Sequence, residues 1–165
     1  MEPVDLTRRT TSVLLADYAA ILDELRDRGV VRTANPPAGD YAELLVKTAL
    51  CGELVDPSVK GHDGVLPDGT TIQVKTRVVT SPRRPGQLQT SPFRSWSIGK
   101  VALVLLNADD YSVVQGVLLP SATARALSTP RAHVNGDVLM MTAAVLDHPE
   151  AEDITQMLND AATSL

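Results

Sequence analysis

The sequence predicts an α/β protein in which helices flank a mixed β-sheet. Three features carry this prediction: two amphipathic helical patterns near the N-terminus, a central hairpin with alternating side chains, and an apolar strand at 100–107 followed by another strand at 112–120. A strand of apolar side chains is typical of the centre of a sheet covered on both faces. With 165 residues, 44% of them hydrophobic, the chain is long enough for one domain with its own core.

The two predicted N-terminal helices have different expected roles. The first, at about 7–28, has an apolar stripe that either packs on the core or pairs with a second copy of the chain, and core packing is the expectation. The second, at about 39–50, contains Glu43. Glu43 lies three residues after Asp40 and four before Lys47, spacings typical of a capping box and of a surface ion pair.

A β-hairpin is predicted around the turn Pro67-Asp68-Gly69. Proline suits the first position of a type I turn, and glycine adopts the positive φ that closes a three-residue loop. Such a loop sets Asp63 opposite Gln73, whereas a two-residue loop would set it opposite Val74. Because side chains alternate along a strand, Gln73 and Lys75 share one face. The turn therefore brings together a carboxylate, an amide and an ammonium group.

These residue types suit a site for a divalent metal. Mg²⁺ binds the oxygen atoms of carboxylates, amides and backbone carbonyls, and a nearby lysine can activate an attacking water or stabilise charge on a phosphate. Glu43, Asp63 and Gln73-Val74-Lys75 resemble the signature of the PD-(D/E)xK nuclease superfamily. The variant is the one with glutamine in place of an acid, as in Mrr-like restriction endonucleases. The resemblance covers roughly residues 39–119, and His62 stands where the family has proline.

The resemblance implies a restriction-endonuclease-like fold and a metal-dependent DNA endonuclease, related to restriction or defence. It implies that Mg²⁺ or Mn²⁺ is held by Asp63 and the Val74 carbonyl, with Glu43 and Gln73 as further ligands. It also implies that Lys75 assists the attacking water. Glu43 is then a metal-side carboxylate, directly or through a water molecule.

One nuclease-like domain is expected over residues 1–165. Its parts are an N-terminal helix at 1–30, the nuclease-like core at 39–119 and a C-terminal helical part at 120–165. Cutting both strands of a duplex would require a homodimer, although no residue in the sequence specifies one.

Two other interpretations remain open. Gln73 supplies one negative charge fewer than an acid would, which weakens a site for a cation that dehydrates reluctantly. The chain could therefore be a nuclease-derived module that binds nucleic acid or protein without turnover. A plain interaction domain could also carry the Gln73–Lys75 pattern on a surface strand by coincidence, but the joint presence of Asp63, Lys75 and Glu43 argues against it.

Charge is distributed unevenly, although the net charge is −5. Between Gly69 and Lys100 there are six basic residues and no acid, while from Ala132 onwards there are six acids and no Lys or Arg. This segregation predicts one positive surface for DNA phosphates. Phe93 and Trp96 could stack on bases there, although Trp96 is expected to anchor the loop on the core. The expected nucleic-acid contacts are Lys60, Arg77, Arg83, Arg84, Arg94 and Lys100.

The remaining signals concern the environment of the chain. The single cysteine, Cys51, excludes an internal disulfide and fits a reducing cytoplasm. His62, His133 and His148 lack the spacing of a zinc site. The apolar run at 101–106 is far too short to cross a bilayer, so no membrane association is expected.

Overall fold

A computed structural model describes residues 4–84 and 86–165. Residues 1–3 of the predicted N-terminal segment and Pro85 of the loop after the hairpin lie outside the described residues. In chain order the named elements are α1 (Thr11–Asp27), α2 (Ala38–Ala49), β1 (Glu53–Leu54), β2 (Gly64–Val65), β3 (Thr71–Val79), β4 (Lys100–Asn107), β5 (Val113–Pro120), α3 (Ser121–Leu127), β6 (Thr129–Arg131), β7 (Gly136–Val138), α4 (Ala143–Leu146), β8 (Glu152–Asp153) and α5 (Thr155–Thr163).

Six of the strands form one mixed sheet in the order β1-β2-β3-β4-β5-β8. Only β3 and β4 run parallel; the other neighbours are antiparallel. The centre belongs to β4, whose residues from Val101 to Leu106 are all apolar and 0% exposed. The sheet and its flanking helices confirm the predicted α/β architecture, and the strands predicted at 100–107 and 112–120 agree with β4 and β5 to within one residue.

Two apolar layers cover the sheet. On one face α2 and α5 pack through residues such as Leu45 and Leu158. On the other face lie the loop after β3, α3 and the segment that contains Leu139 and Met141. Side chains alternate along β3. Those of Ile72 and the other even-numbered residues face α2 and α5, and the odd-numbered side chains face the loop after β3.

The predicted hairpin has the predicted register. The Leu66 N–H donates to the Thr70 carbonyl at 2.8 Å, and Gly69 has a φ of +85° in the three-residue loop. Gly64 pairs with Ile72 at the end of the ladder, and the N–H of Asp63, the residue before β2, donates to the Ile72 carbonyl at 2.8 Å. Because β1 and β2 each have only two residues, the edge of β3 beyond Ile72 has no strand partner within the described residues.

The expected core packing of the first helix is wrong. No residue of α1 is buried, and Leu15 and Ile21 are 64% and 58% exposed. The face of the sheet that a helix could cover is already occupied by α2 and α5, which leaves the apolar stripe of α1 largely outside the core. No helix in residues 4–84 and 86–165 is both long and apolar enough to cross a membrane.

The long loop between β3 and β4 is tied to the C-terminal part of the domain. The Thr90 N–H donates to the Leu139 carbonyl at 2.9 Å. Trp96 stacks on Phe93 at 4.4 Å between ring centroids and donates from Nε1 to Asp137 Oδ2 at 2.7 Å. The anchoring expected of Trp96 is therefore confirmed. Phe93 is only 1% exposed, so the expectation that it stacks on bases is wrong.

Candidate active site

The candidate site lies at the open edge of β3, where β2 has ended. Asp63 Oδ2 accepts a hydrogen bond from the Val74 N–H at 2.7 Å, so a side chain replaces the missing strand partner. The carbonyls of Thr70 and Ile72 face β2, since they accept from Leu66 and Asp63. Backbone groups of alternate residues point to the same edge of a strand, which sets the Val74 carbonyl on this edge as well. By this alternation, Asp63 and the Val74 carbonyl lie on the same edge of β3.

Asp63 is largely removed from solvent. Burial raises the pKa of its carboxyl, against the opposing effects of the Val74 N–H and the positive charges of Lys75, Arg32 and His62. The net shift means that this environment disfavours the carboxylate when no metal ion is bound. The charges of Asp63 and Lys75 favour each other's ionised form, which opposes the effect of burial on both groups.

Glu43 reaches the same region from α2. Its Oε2 accepts from Arg32 Nη2 at 2.6 Å. Burial raises the pKa of Glu43, and the negative charge of Asp63 adds to the shift while Arg32 opposes it. Both simple explanations of Glu43 are wrong: its ion pair is with Arg32 and not with Lys47, and α2 already begins at Ala38.

Asp40, the expected cap, has another role. It lies inside α2, and its Oδ2 accepts from the backbone N–H groups of Arg32 and Thr33 at 2.7 Å each. Asp40 therefore ties the segment before α2 to the helix and fixes the position of Arg32.

Gln73 contributes a buried amide oxygen that has no donor among the described residues. An unpaired buried acceptor is costly in a folded protein, because water has been removed from it without replacement. A divalent cation would satisfy this oxygen. The donors available here, two carboxylates, one amide oxygen and one backbone carbonyl, fit Mg²⁺ or Mn²⁺, which keeps water molecules and takes the rest of its shell from substrate.

Lys75 is only 8% exposed. Its Nζ donates to Ser91 Oγ at 3.0 Å and to the Pro92 carbonyl at 3.2 Å, and lies 4.8 Å from the centroid of the Phe93 ring. Burial lowers the pKa of Lys75, although Asp63 and Glu43 oppose the shift. Lys75 is buried because the loop after β3 folds over it.

Sequence reasoning missed Arg32 and Ser91. Arg32 lies in the connector before α2, and Ser91 lies in the long loop. Neither belongs to a recognisable motif or a periodic pattern. Only the fold brings them to Glu43 and Lys75, so no signal in the sequence could have identified them.

Four carboxylates line the pocket that also contains Arg32, namely Asp40, Glu43, Asp56 and Asp63. Within the described residues, no group of three or more His, Cys, Asp or Glu side chains is arranged to hold a metal ion.

A groove of about 740 Å³ opens beside Gln73. It is lined by Lys60, Gly61, Gln73, Pro92, Arg94 and Ser95. The exposed Lys60 and Arg94 flank it, and Arg94 also contributes to lowering the pKa of Lys75. These two residues are the ones among the six predicted nucleic-acid contacts that border this groove.

The other four basic residues lie elsewhere. Arg77 donates from Nε to the Gln87 carbonyl at 2.9 Å, and the Arg84 N–H donates to Gln87 Oε1 at 2.8 Å. Arg77, Arg83 and Arg84 therefore gather towards the far end of β3, which extends roughly 20 Å from Gln73 to Val79.

Lys100 lies beside Ile72 in the parallel register and shares its face, opposite to that of Gln73. The predicted contacts accordingly fall into three groups and do not line one groove.

No protein-family model matches the sequence, and no curated protein matches it. A functional interpretation therefore has to start from the edge of β3.

Proposed function

We propose that this protein is a metal-dependent DNA endonuclease of the PD-(D/E)xK type that hydrolyses phosphodiester bonds. The observation that supports this proposal most is that Asp63 and Glu43 line one pocket, while Asp63 also accepts from the Val74 N–H, between Gln73 with its unpaired oxygen and Lys75 on β3. Ionisable groups whose pKa values are shifted by burial and by specific neighbours cluster at functional sites.

Asp63, Glu43, Gln73 and the Val74 carbonyl would hold the metal ion. When bound, Mg²⁺ or Mn²⁺ supplies Lewis acidity and neutralises charge on the phosphate. The chain itself contributes orientation: Asp63 is fixed by the Val74 N–H, and Glu43 by Arg32.

Lys75 would orient the attacking water and stabilise negative charge on the phosphate. An ammonium group has three N–H donors, and two of them are used by Ser91 and Pro92. The third remains for water or for a phosphate oxygen. Lys60 and Arg94 on the sides of the groove would bind the flanking phosphates.

The test is cleavage of supercoiled and linear duplex DNA with Mg²⁺, Mn²⁺ or EDTA. Wild type is expected to nick or cut with metal and to be inactive in EDTA. Lys75→Met should abolish cleavage, while Lys47→Met, a matched change on α2, should not. If neither wild type nor Gln73→Glu, which restores an acidic ligand, cleaves DNA with either metal, the endonuclease proposal is wrong.

A second candidate function is a nucleic-acid-binding module without turnover. It is favoured by Gln73, which carries no charge, and by the ion pair of Glu43 with Arg32. This alternative predicts a gel shift with duplex DNA that is independent of Mg²⁺ and unaffected by Lys75→Met, with no cleavage under any condition.

A further inference from the structure

Arg32 joins the two carboxylate-bearing parts of the candidate site. Its Nη2 donates to Glu43 Oε2 and its Nη1 donates to the Val55 carbonyl, each at 2.6 Å. The Val55 N–H in turn donates to the Asp63 carbonyl at 3.0 Å. A continuous chain of hydrogen bonds therefore runs from Glu43 on α2, through Arg32, to the backbone of Asp63.

The position of Arg32 is fixed from both ends. Its backbone N–H is held by Asp40, as described above, and its guanidinium lines a pocket of about 160 Å³ together with Glu43 and Asp63. An arginine side chain does not lose its proton in proteins. A permanent positive charge thus lies beside the two carboxylates that would hold a divalent cation.

Stability alone does not explain this placement. Arg32 Nε is buried and has no acceptor among the described residues. Burying an unpaired donor on a charged group costs stability, so a side chain placed only to strengthen the fold would not be expected here. The charge does match the need of two buried carboxylates for a positive partner.

We propose, building on the metal-dependent function above, that Arg32 is a resident counter-cation which competes with the divalent metal for Glu43. Without metal it offsets the negative charge of the carboxylates and ties α2 to the segment that follows β1, through Glu43 and the Val55 carbonyl. Glu43 Oε2 would have to give up its bond to Arg32 in order to hold a metal ion. Arg32 therefore stabilises the fold without metal. It weakens metal binding, because its positive charge repels the cation at a partly buried site where solvent screens charges less.

The test compares Arg32→Gln with Arg28→Gln. Arg28 forms an exposed ion pair with Glu24 on the surface, so the control makes the same change of charge away from the site. Mn²⁺ affinity is measured by titration calorimetry, and melting temperature is measured in EDTA. Arg32→Gln is expected to melt at a lower temperature without metal and to bind Mn²⁺ about tenfold or more tightly than wild type. Arg28→Gln should match wild type in Mn²⁺ affinity.

The outcomes separate the role of Arg32 from the function on which it rests. If wild type binds Mn²⁺ and Arg32→Gln binds it equally or more weakly, the competition is refuted and the endonuclease proposal stands. If neither protein binds Mn²⁺, both proposals fail.

Should Arg32→Gln not fold, a wild-type measurement decides. Titration with Mg²⁺ is followed by NMR of the arginine Nε–H signals and of the glutamine side-chain amides. Release of Glu43 should shift the Arg32 signal together with that of Gln73. A shift of Gln73 alone overturns the proposal.

Discussion

The centre of the sheet and its open edge differ in the chemistry that they bury. In β4 the residues from Val101 to Leu106 are apolar and wholly inaccessible, and they pack on both layers. At the edge of β3 the groups withdrawn from solvent are polar: the partly buried carboxylate of Asp63, the buried amide oxygen of Gln73 and the buried ammonium group of Lys75. Burial raises the pKa of Asp63 and lowers the pKa of Lys75, and both shifts favour the uncharged side chain.

This difference indicates a division of roles. Burying apolar surface stabilises a fold, whereas burying charge costs free energy unless partners compensate for it. β4 stabilises the domain, and the edge of β3 is held in an unfavourable electrostatic state by the surrounding structure. Substitutions in the two regions should therefore separate stability from activity.

The largest expected effect is that of Lys75→Met on cleavage. Loss of the ammonium group should lower the rate by roughly 10²–10⁴-fold, the usual contribution of a group that positions or transfers a proton. Methionine keeps the contact with Phe93 and removes a buried charge, so the free energy of unfolding should change by about 1 kcal/mol or less. Single-turnover cleavage and urea denaturation measure the two quantities. A large loss of stability would mean that Lys75 is chiefly structural.

Leu106→Ala should show the opposite pattern. Leu106 lies in the layer formed with α2 and α5 and is fully buried, so the cavity should lower the free energy of unfolding by about 2–5 kcal/mol. At a temperature where the variant remains folded, the cleavage rate per folded molecule should stay within about twofold of wild type. The reason is that substitutions at distant sites without shared contacts have independent effects. A parallel loss of activity would show that the two regions are coupled.

A smaller effect is expected in the pH dependence of stability without metal. The pKa of Asp63 is raised by burial, so its ionisation destabilises the fold at pH values above that pKa. Asp63→Asn should therefore be more stable than wild type near neutral pH, and the difference should vanish as the pH falls through the raised pKa and below 3.8.

Asp68→Asn provides the control on the hairpin turn. The pKa of Asp68 is lowered, chiefly by the Thr70 N–H, so Asp68 stabilises the fold above its ordinary pKa. Its replacement should reduce stability near neutral pH and lose that effect in acid. Thermal melts in EDTA across this pH range compare the two variants. If both substitutions change the stability near neutral pH in the same direction, the environment of Asp63 is not the cause of the change in Asp63→Asn.

The smallest expected effect is on the salt dependence of DNA binding. Replacing Lys60 and Arg94 with alanine should flatten the slope of log K against log salt by roughly 2, since each phosphate contact contributes about 0.9. Replacing Arg83 and Arg84 changes the net charge equally, at the other end of β3, and should flatten the slope less. Binding titrations at several salt concentrations give both slopes. Equal slopes would show that DNA does not follow the groove beside Gln73.

Much of the fold could be predicted because its signals are local. The apolar run of β4 predicts a central strand, and the Pro67-Asp68-Gly69 turn predicts the register that sets Asp63 opposite Gln73. Turn chemistry and strand alternation involve residues that are close in sequence, so the sequence alone determined this part of the site.

Other features were decided only by tertiary structure. The partner of Glu43, the burial of Lys75 under the loop and the separation of the six basic residues all depend on residues far apart in sequence. Periodicity likewise predicted both N-terminal helices, but it could not say that α2 would be buried and α1 exposed. Periodicity reports that a helix has an apolar face; which surface covers that face depends on the other elements that compete for the same side of the sheet.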